Sequence, residues 1–192
     1  SGRDADMAGR IDSRGSDPSP ITDPDTSTGD TASGMGLERL NRLPAAAAEA
    51  ELHDCCGSGR WAAAVAAGRP YPTPAALHAA AERAWWALDE AGWQEAFAAH
   101  PRIGERAGAV SRREQQALDG ASAETLAALA EGNRRYEERF GRIFLVCATG
   151  RTASEMLAQL RQRLGNDPET ELRVAAGEQA RITRLRLERL LA

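Results

Sequence analysis

The sequence predicts an all-α protein, a single compact bundle of about seven or eight helices with no sheet. Alanine-rich and amphipathic runs follow one another from Met35 to the end of the chain. Prolines in first-turn positions, capping side chains before them and glycines after them mark where these runs begin and end. One stretch resembles a strand, and a lone strand has no partner with which to form a sheet.

The prolines and glycines of the first half of the domain separate its helices. Pro44 begins a helix that ends at Gly57, and Ser58 can cap the next one. Beyond the connector RPYPTP, Pro74 begins a helix that is predicted over residues 75–91.

Gly92 then precedes a short helix that ends at His100, before Pro101. A loop over residues 101–110 leads to Ser111, which begins the helical run SRREQQAL. The remaining predicted elements are a helix from Ser122 toward Phe140, a strand-like or buried irregular segment GRIFLVCATG, a helix from the box Thr152–Glu155 to Gly165, and a last helix over residues 168–191 capped by Asp167.

Residues 1–34 are expected to form a disordered tail, and residues 35–192 the folded domain. The tail consists mostly of Asp, Ser, Thr, Gly and Pro, so it has almost no apolar surface to bury. It holds three Arg and seven Asp, which leaves 21 basic and 21 acidic residues in the domain. A neutral domain without a basic stripe argues against nucleic-acid binding. With no run of 18 apolar residues, no membrane span is expected.

Cysteine usage bears on the compartment and on metal binding. Cys55, Cys56 and Cys147 fit neither a disulfide framework nor the paired spacings of zinc sites. No charged start followed by an apolar stretch marks a secretory signal. We therefore expect a cytoplasmic protein without a bound metal.

His100 lies where an alanine-rich helix meets Pro101, which disfavours helical conformation in the residue before it. The imidazole is therefore expected at a helix end, pointing toward a specific partner. It could cap the helix, stabilised by the helix dipole, or act as an acid/base group near neutral pH. His53 and His78 lie within helices and are interpreted as surface or packing residues.

Ser111 and Glu114 have the spacing of a capping box, in which each side chain satisfies the other residue's backbone N–H. A helix N-terminus also offers free amides to an anionic ligand, which Glu114 and Gln115 could contact. Both interpretations can hold, since Ser111 can cap the helix while Glu114 turns inward.

Arg186 falls in the middle of the apolar face of the last helix. Four residues define that face at about 100° per residue: Leu172, Ala175, Ile182 and Leu190. A buried arginine needs an acidic partner or an anionic ligand, unless its charge extends past the edge of the core. Gln179 lies on the same face and makes a polar strip more plausible.

The run FGRIFLVCA is apolar, so Phe144 to Ala148 are most simply core residues and Cys147 a small buried thiol. A functional role for this segment would depend on backbone groups that become available where the helix breaks at Gly141.

Taken together, five blocks resemble the family of 2-oxo-4-hydroxy-4-carboxy-5-ureidoimidazoline (OHCU) decarboxylases of the urate-to-allantoin pathway. The blocks are LNRLPAAAAEAELHDCCGSGRW, AHPRIGE, SRREQ, RYEERFGRIFLVCA and RITRLRLERL, and their order and spacing cover residues 36–192. The resemblance implies an all-helical, usually homodimeric enzyme. It would use no cofactor and would decarboxylate an unstable product of urate oxidation to (S)-allantoin.

The resemblance also implies roles for individual residues. The catalytic group would comprise His100, Glu114 and Arg186. The substrate-binding residues would be Pro101, Ser111, Gln115, Phe144, Leu145, Val146, Cys147 and Ala148. The chain departs from the pattern in PRIGE, where other members have an acidic residue after the proline. It also ends without the peroxisomal Ser-Lys-Leu signal.

A second hypothesis is a non-catalytic helical ligand-binding or interaction domain, in which Arg186 and the capping box are structural. A helical DNA-binding regulator fits less well, because the charge of the domain is balanced. Convergence of His100, Glu114 and Arg186 on one pocket would favour the enzyme, and their separation would favour the binding domain.

Overall fold

The computed structural model describes residues 27–100 and 120–192, with side chains from residue 32 onward within those ranges. No strand occurs there, so the all-α prediction is confirmed for this part of the chain. The helices of these ranges are α1 (Ser27–Arg42), α2 (Ala45–Cys56), α3 (Gly59–Ala67), α4 (Pro74–Trp86), α5 (Glu90–Ala98), α6 (Ala123–Phe140), α7 (Ala153–Arg163) and α8 (Pro168–Leu191).

Local capping chemistry begins most of these helices, as the sequence predicts. The side chains of Ser58, Ser122 and Asp167 each accept a hydrogen bond from the backbone N–H three residues later. Thr152 and Glu155 form the predicted capping box at the start of α7. Since these contacts join residues close in the chain, they could be recognised without knowledge of the fold.

The boundary between α4 and α5 differs from the prediction. The helix expected over residues 75–91 ends at Trp86, and Asp89 starts α5 by accepting a hydrogen bond from the Gly92 backbone N–H at 3.0 Å. Gly92 therefore lies inside α5 instead of before it. The glycine permits a close approach, because a Cβ there would lie 2.7 Å from a guanidinium nitrogen of Arg60.

α1 begins at Ser27, within the segment that composition assigned to the tail. Two of its residues, Leu37 and Leu40, are buried against the other helices. Residues 1–26 lie outside the described ranges.

Two hydrophobic clusters form the core of the described residues. The larger one contains residues from each of the helices α1–α5 and from α8, and its centre is filled by Trp61, Trp85 and Phe97. The smaller one joins α6 with α7 around Tyr136 and Met156. α8 contacts α1, α2, α4 and α5, so these helices pack along α8 to form the larger cluster.

The strand-like run after α6 is irregular and lies between the two clusters. Gly141 ends α6 with a φ of 67°, a left-handed conformation that glycine adopts without strain. Leu145 then packs into the larger cluster, whereas Phe144, Val146 and Ala148 pack into the smaller one. Because alternate side chains point to opposite sides of an extended chain, this segment shows strand-like alternation, although no strand lies beside it in the part of the chain that the structure describes.

Among the described residues, no helix is both long enough and apolar enough to cross a membrane.

Candidate functional site

The candidate site is only partly within the described residues. His100, Arg186 and the segment from Phe144 to Ala148 are described. The remaining predicted site residues, which lie outside the described ranges, are Pro101, Ser111, Glu114 and Gln115.

His100 follows the last turn of α5 and is half-buried. Its backbone N–H donates to the carbonyl oxygen of Phe97 at 3.1 Å, which closes the helix end through the main chain. Its side chain has a buried Nε2 atom with no hydrogen-bond partner among the described residues. A buried polar atom left without a partner is costly, so this nitrogen is a candidate for contact with a ligand.

A polar strip on α8 lies beside this imidazole. It consists of Gln179, Thr183 and Arg186, which share one helix face through spacings of four and three residues. The side-chain nitrogen of Gln179 donates to the carbonyl oxygen of Cys56 at 3.2 Å and to the Thr183 hydroxyl at 3.1 Å. The Gln179 Oε1 atom is buried and, within the described ranges, has no donor.

Arg186 reaches the C-terminal end of α2. Its Nη1 atom lies 3.4 Å from the carbonyl oxygen of Cys55 and 3.5 Å from that of Asp54, at the long limit of hydrogen bonding. No carboxylate of the described residues pairs with it. A guanidinium has five N–H donors, so most of its capacity remains for an anionic or carbonyl oxygen.

The electrostatics of the site keep the imidazole neutral. Burial, and to a smaller extent the positive charge of Arg186, lower the pKa of His100 to about 4, while a side-chain interaction with Gln179 acts in the opposite direction. At neutral pH the ring therefore carries one N–H and one lone pair, and it can accept a proton. Arg186 therefore acts electrostatically on His100, whereas Glu114, the third residue of the predicted catalytic group, lies outside the described ranges.

Burial raises the pKa of the two nearby thiols, because it disfavours the charged thiolate. It raises the pKa of Cys55 to about 12 and that of Cys56 to about 11. Both groups stay protonated at neutral pH, so neither is suited to act as a nucleophile.

The segment from Phe144 to Ala148 is buried throughout. The side chains of Phe144, Leu145 and Val146 fill the two hydrophobic clusters, so these residues can present only backbone groups to a ligand. Cys147 and Ala148 line a small cavity with Arg186 and Arg189, which has a volume of about 40 Å³.

Buried charged side chains hold the backbone of this segment. The carbonyl oxygen of Leu145 accepts a hydrogen bond from Arg163 Nη1 at 2.8 Å, and the N–H of Cys147 donates to Glu178 Oε2 at 2.8 Å. Arg163 also pairs with Glu171 at 2.6 Å and lies over the Phe144 ring. The Cys147 amide is therefore already occupied and is not available to a ligand.

Three buried charged residues near the site were not predicted from the sequence: Arg163, Glu171 and Glu178. Glu171 and Glu178 are seven residues apart and so share a face of α8, the one signal in the sequence that could have linked them. Charged residues occur on all sides of this helix. Their burial follows from the position of the extended segment against α8, which local spacing does not reveal.

In the described part of the chain, no group of three or more His, Cys, Asp or Glu side chains could hold a metal ion.

Known proteins resemble this chain over the regions that build the site. The family model for OHCU decarboxylase matches residues 41–188. The uric acid degradation bifunctional protein TTL of Arabidopsis thaliana is 37% identical over 153 residues, which cover 75% of this chain and 47% of that protein. The chain thus matches about half the length of that relative. The 2-oxo-4-hydroxy-4-carboxy-5-ureidoimidazoline decarboxylase of Amia calva is 36% identical, covering 68% of this chain and 79% of that protein.

Solved structures agree with the sequence relatives. An OHCU decarboxylase crystallised in the presence of (S)-allantoin superposes with a TM-score of 0.68 at 39% identity, covering 73% of this chain and 96% of that one. An (S)-allantoin synthase superposes with a TM-score of 0.65 at 21% identity, covering 80% of this chain and 53% of that one, and shares the fold. Since the family match extends from the end of α1 almost to the end of α8 and includes both His100 and Arg186, this chain belongs to the OHCU decarboxylase family.

Proposed function

We propose that this protein decarboxylates 2-oxo-4-hydroxy-4-carboxy-5-ureidoimidazoline to (S)-allantoin. The main support is the unpaired Nε2 atom of His100 beside Arg186, which has no carboxylate partner among the described residues. Membership of the family and the names of the relatives support the choice of substrate.

The chemistry requires one bond to break and one proton to be placed. The substrate carries a hydroxyl and a carboxylate on one ring carbon. When the bond to the carboxylate breaks, CO₂ leaves and its electron pair remains on that carbon, where the adjacent ring system can delocalise it. The carbon that lost CO₂ becomes a carbonyl as its hydroxyl gives up a proton, and a proton delivered to one face of the neighbouring carbon, which bears the ureido group, then gives a single enantiomer of allantoin.

His100 is proposed as the group that exchanges protons with the substrate. Its low pKa leaves the free imidazole able to accept a proton. An anionic substrate next to the ring would raise that pKa, because an opposite charge favours the protonated form. The bound complex would therefore hold a proton on His100 and deliver it to the ring carbon that bears the ureido group.

Arg186 is proposed to pair with an anionic or carbonyl oxygen and to stabilise negative charge as it develops. Glu114 would hold the substrate hydroxyl and set the protonation state of the imidazole. Gln115, helped by Ser111 and Pro101, would contact the ring and ureido group together with backbone groups of the segment from Phe144 to Ala148. Since the Cys147 amide donates to Glu178, other groups of that segment would make these contacts.

We further propose a homodimer that needs no cofactor and resides in the cytoplasm. The family resemblance supports the first two statements. The buried, unpaired thiols suit a reducing compartment.

The decisive experiment generates the substrate in place from urate with urate oxidase and hydroxyisourate hydrolase, and follows circular dichroism for (S)-allantoin. Rapid formation of one enantiomer is the expected result. The binding-domain hypothesis predicts instead racemic allantoin formed at the spontaneous rate.

A variant of the proposed catalytic group tests its assignment in the same assay. His100→Ala should lose turnover and keep its far-UV circular dichroism, because the side chain follows the end of α5 and the helix end is closed by the backbone hydrogen bond from residue 100 to Phe97, which alanine can also make. His53→Ala is the matched control, since His53 is exposed on α2 and should not affect the rate. Stereospecific activity retained in His100→Ala would reject the role given to this histidine.

A further inference from the structure

Glu178 is a buried carboxylate whose two oxygens bind different parts of the molecule. Its Oε2 atom accepts the hydrogen bond from the Cys147 N–H at 2.8 Å. Its Oε1 atom accepts from Arg181 Nη1 at 2.7 Å and lies 3.7 Å from Arg151 Nη2. One side chain therefore joins α8, the extended segment and Arg151, which lies two residues before the start of α7.

This carboxylate connects two parts of the candidate site. Gln179, the next residue on α8, begins the polar strip, and Arg186 lies two turns further along the same helix. Cys147, at the other end of the contact, lines the small cavity that Arg186 also lines. Within the described ranges no strand pairs with the extended segment, and side chains supply partners to its buried backbone groups, with Glu178 as the one from α8.

We propose that Glu178 is a positioning residue, which sets the distance between the substrate-facing segment and the polar strip of α8. This inference rests on the proposed function, because it assigns that segment to the substrate site. The contact that matters is the hydrogen bond from the Cys147 amide to an acceptor on residue 178. The negative charge mainly satisfies the two arginines.

The neighbouring pair of Arg163 and Glu171 plays a different part. Arg163 holds the Leu145 carbonyl, and Glu171 is enclosed by Arg163, Tyr136 and Asn166 in the smaller cluster. That network packs the segment against α6 and α7, and it reaches α8 only indirectly, because Glu171 bonds Arg163 and not the segment itself. Glu178 is the α8 side chain that bonds the backbone of the segment directly.

The hydrogen bond can be tested without measuring activity, by hydrogen exchange of the peptide that contains Cys147. The chain is compared as wild type, Glu178→Ala and Glu178→Gln. Glu178→Gln keeps an acceptor oxygen of the same shape, so exchange should remain slow, whereas Glu178→Ala should exchange at least about tenfold faster at this amide. Equal protection in all three proteins would overturn the inference.

Kinetics then tests whether the contact positions the site. Because a displacement of about 1 Å at a site can cost on the order of 100-fold in rate, Glu178→Ala should lower kcat by about 10-fold to 100-fold. Glu178→Gln should restore most of that loss. Glu188→Ala is the matched control, since Glu188 pairs with Arg184 on the exposed side of the same helix and should leave kcat and KM unchanged.

The outcomes separate the inference from the proposed function. A folded Glu178→Ala protein with unchanged kcat and KM would reject the positioning role, and so would a Gln variant as slow as the Ala variant. A wild-type protein without decarboxylase activity would reject the proposed function, while hydrogen exchange would still decide whether Glu178 holds the segment.

Discussion

Arg186 is the residue whose surroundings most constrain the chemistry of the site. Among the described residues its contacts are two long hydrogen bonds to carbonyl oxygens at the end of α2, and it lowers the pKa of His100. A helix C-terminus attracts positive charge, which stabilises the guanidinium without consuming its capacity to bind an anion. The same residue can therefore be tolerated in the free protein and used by a substrate.

Replacing Arg186 by Met should raise the pKa of His100 from about 4 toward its ordinary value, because the repulsion from the guanidinium is removed and burial remains. A titration of the imidazole by NMR measures this shift. Activity should be lost while stability is unchanged or higher, since no described ion pair is broken. A pKa that stays the same would contradict the placement of the two side chains.

The sign of the pH dependence follows from the same pKa. His100 binds a proton less readily in the folded state than in the unfolded state, where its pKa is near 6.5. Its contribution to the free energy of unfolding is therefore retained above that value and lost as the pH falls toward 4. In Arg186→Met this loss should be smaller.

Among the secondary-structure elements, the extended segment after α6 is unusual because its backbone forms no regular hydrogen bonds with another described segment. Its polar backbone groups are buried between two hydrophobic clusters, where an unpaired group is costly. Arg163 and Glu178 supply the partners that a neighbouring strand would otherwise provide. Buried charges are therefore part of the means by which an irregular segment is held in a helical protein.

Removing the charge of Arg163 should be strongly destabilising. Arg163→Met leaves the fully buried Glu171 without its cation, and breaking such a pair typically costs about 3–5 kcal/mol. Denaturant unfolding measures the change. Arg134→Met, which breaks exposed pairs with Glu131 and Glu138, should change the free energy of unfolding far less, because solvent screens those pairs. Equal losses in the two variants would argue against the buried network.

The contact between α1 and α8 depends on a glycine. A Cβ at Gly36 would lie 2.5 Å from the carbonyl carbon of Leu191, a backbone atom that cannot move aside easily. Gly36→Ala should therefore lower the free energy of unfolding by about 1–3 kcal/mol.

Gly177→Ala is the matched control for this contact, because no atom of the described residues lies within 4 Å of a Cβ there. It should stabilise α8 by about 0.5–1 kcal/mol, because alanine loses less backbone entropy than glycine in a helix. Thermal unfolding distinguishes the two, and a stabilised Gly36→Ala protein would show that α1 does not pack as described.

At the scale of the whole molecule, α8 links the larger cluster to the site. Trp85 donates its indole N–H to the carbonyl oxygen of Ala176 at 3.0 Å, which fixes α4 against the same helix that carries Gln179 and Arg186. The end of α5 also meets the end of α2 at Gly57, where a Cβ would lie 2.5 Å from the Ala99 side chain. These contacts bring His100 and the polar strip together.

The proposed homodimer is a prediction about the intact protein. Light scattering after size-exclusion chromatography should give the mass of two chains of 20.5 kDa each. The mass should be independent of protein concentration if the interface is of the size found in stable dimers. A single-chain mass would reject the dimer and leave the proposed activity to be judged separately.

The helical class and most helix ends could be predicted from the sequence without a structure. The same is true of the unusual positions of His100 and Arg186. These features depend on contacts between residues a few positions apart, such as the caps at Ser58, Thr152 and Asp167, or on the spacing of one helix face. The resemblance to a known family depended on the order of such local blocks.

Three features are visible only in the folded structure: the boundary between α4 and α5, the alternation of the extended segment between two clusters, and the burial of particular charged residues. The partners of Arg163, Glu171 and Glu178 come from elements that the chain brings together only on folding. Which of these side chains are buried, and with which residues they pair, depends on how the elements pack together. The pattern of residues within one helix does not indicate which element packs against it.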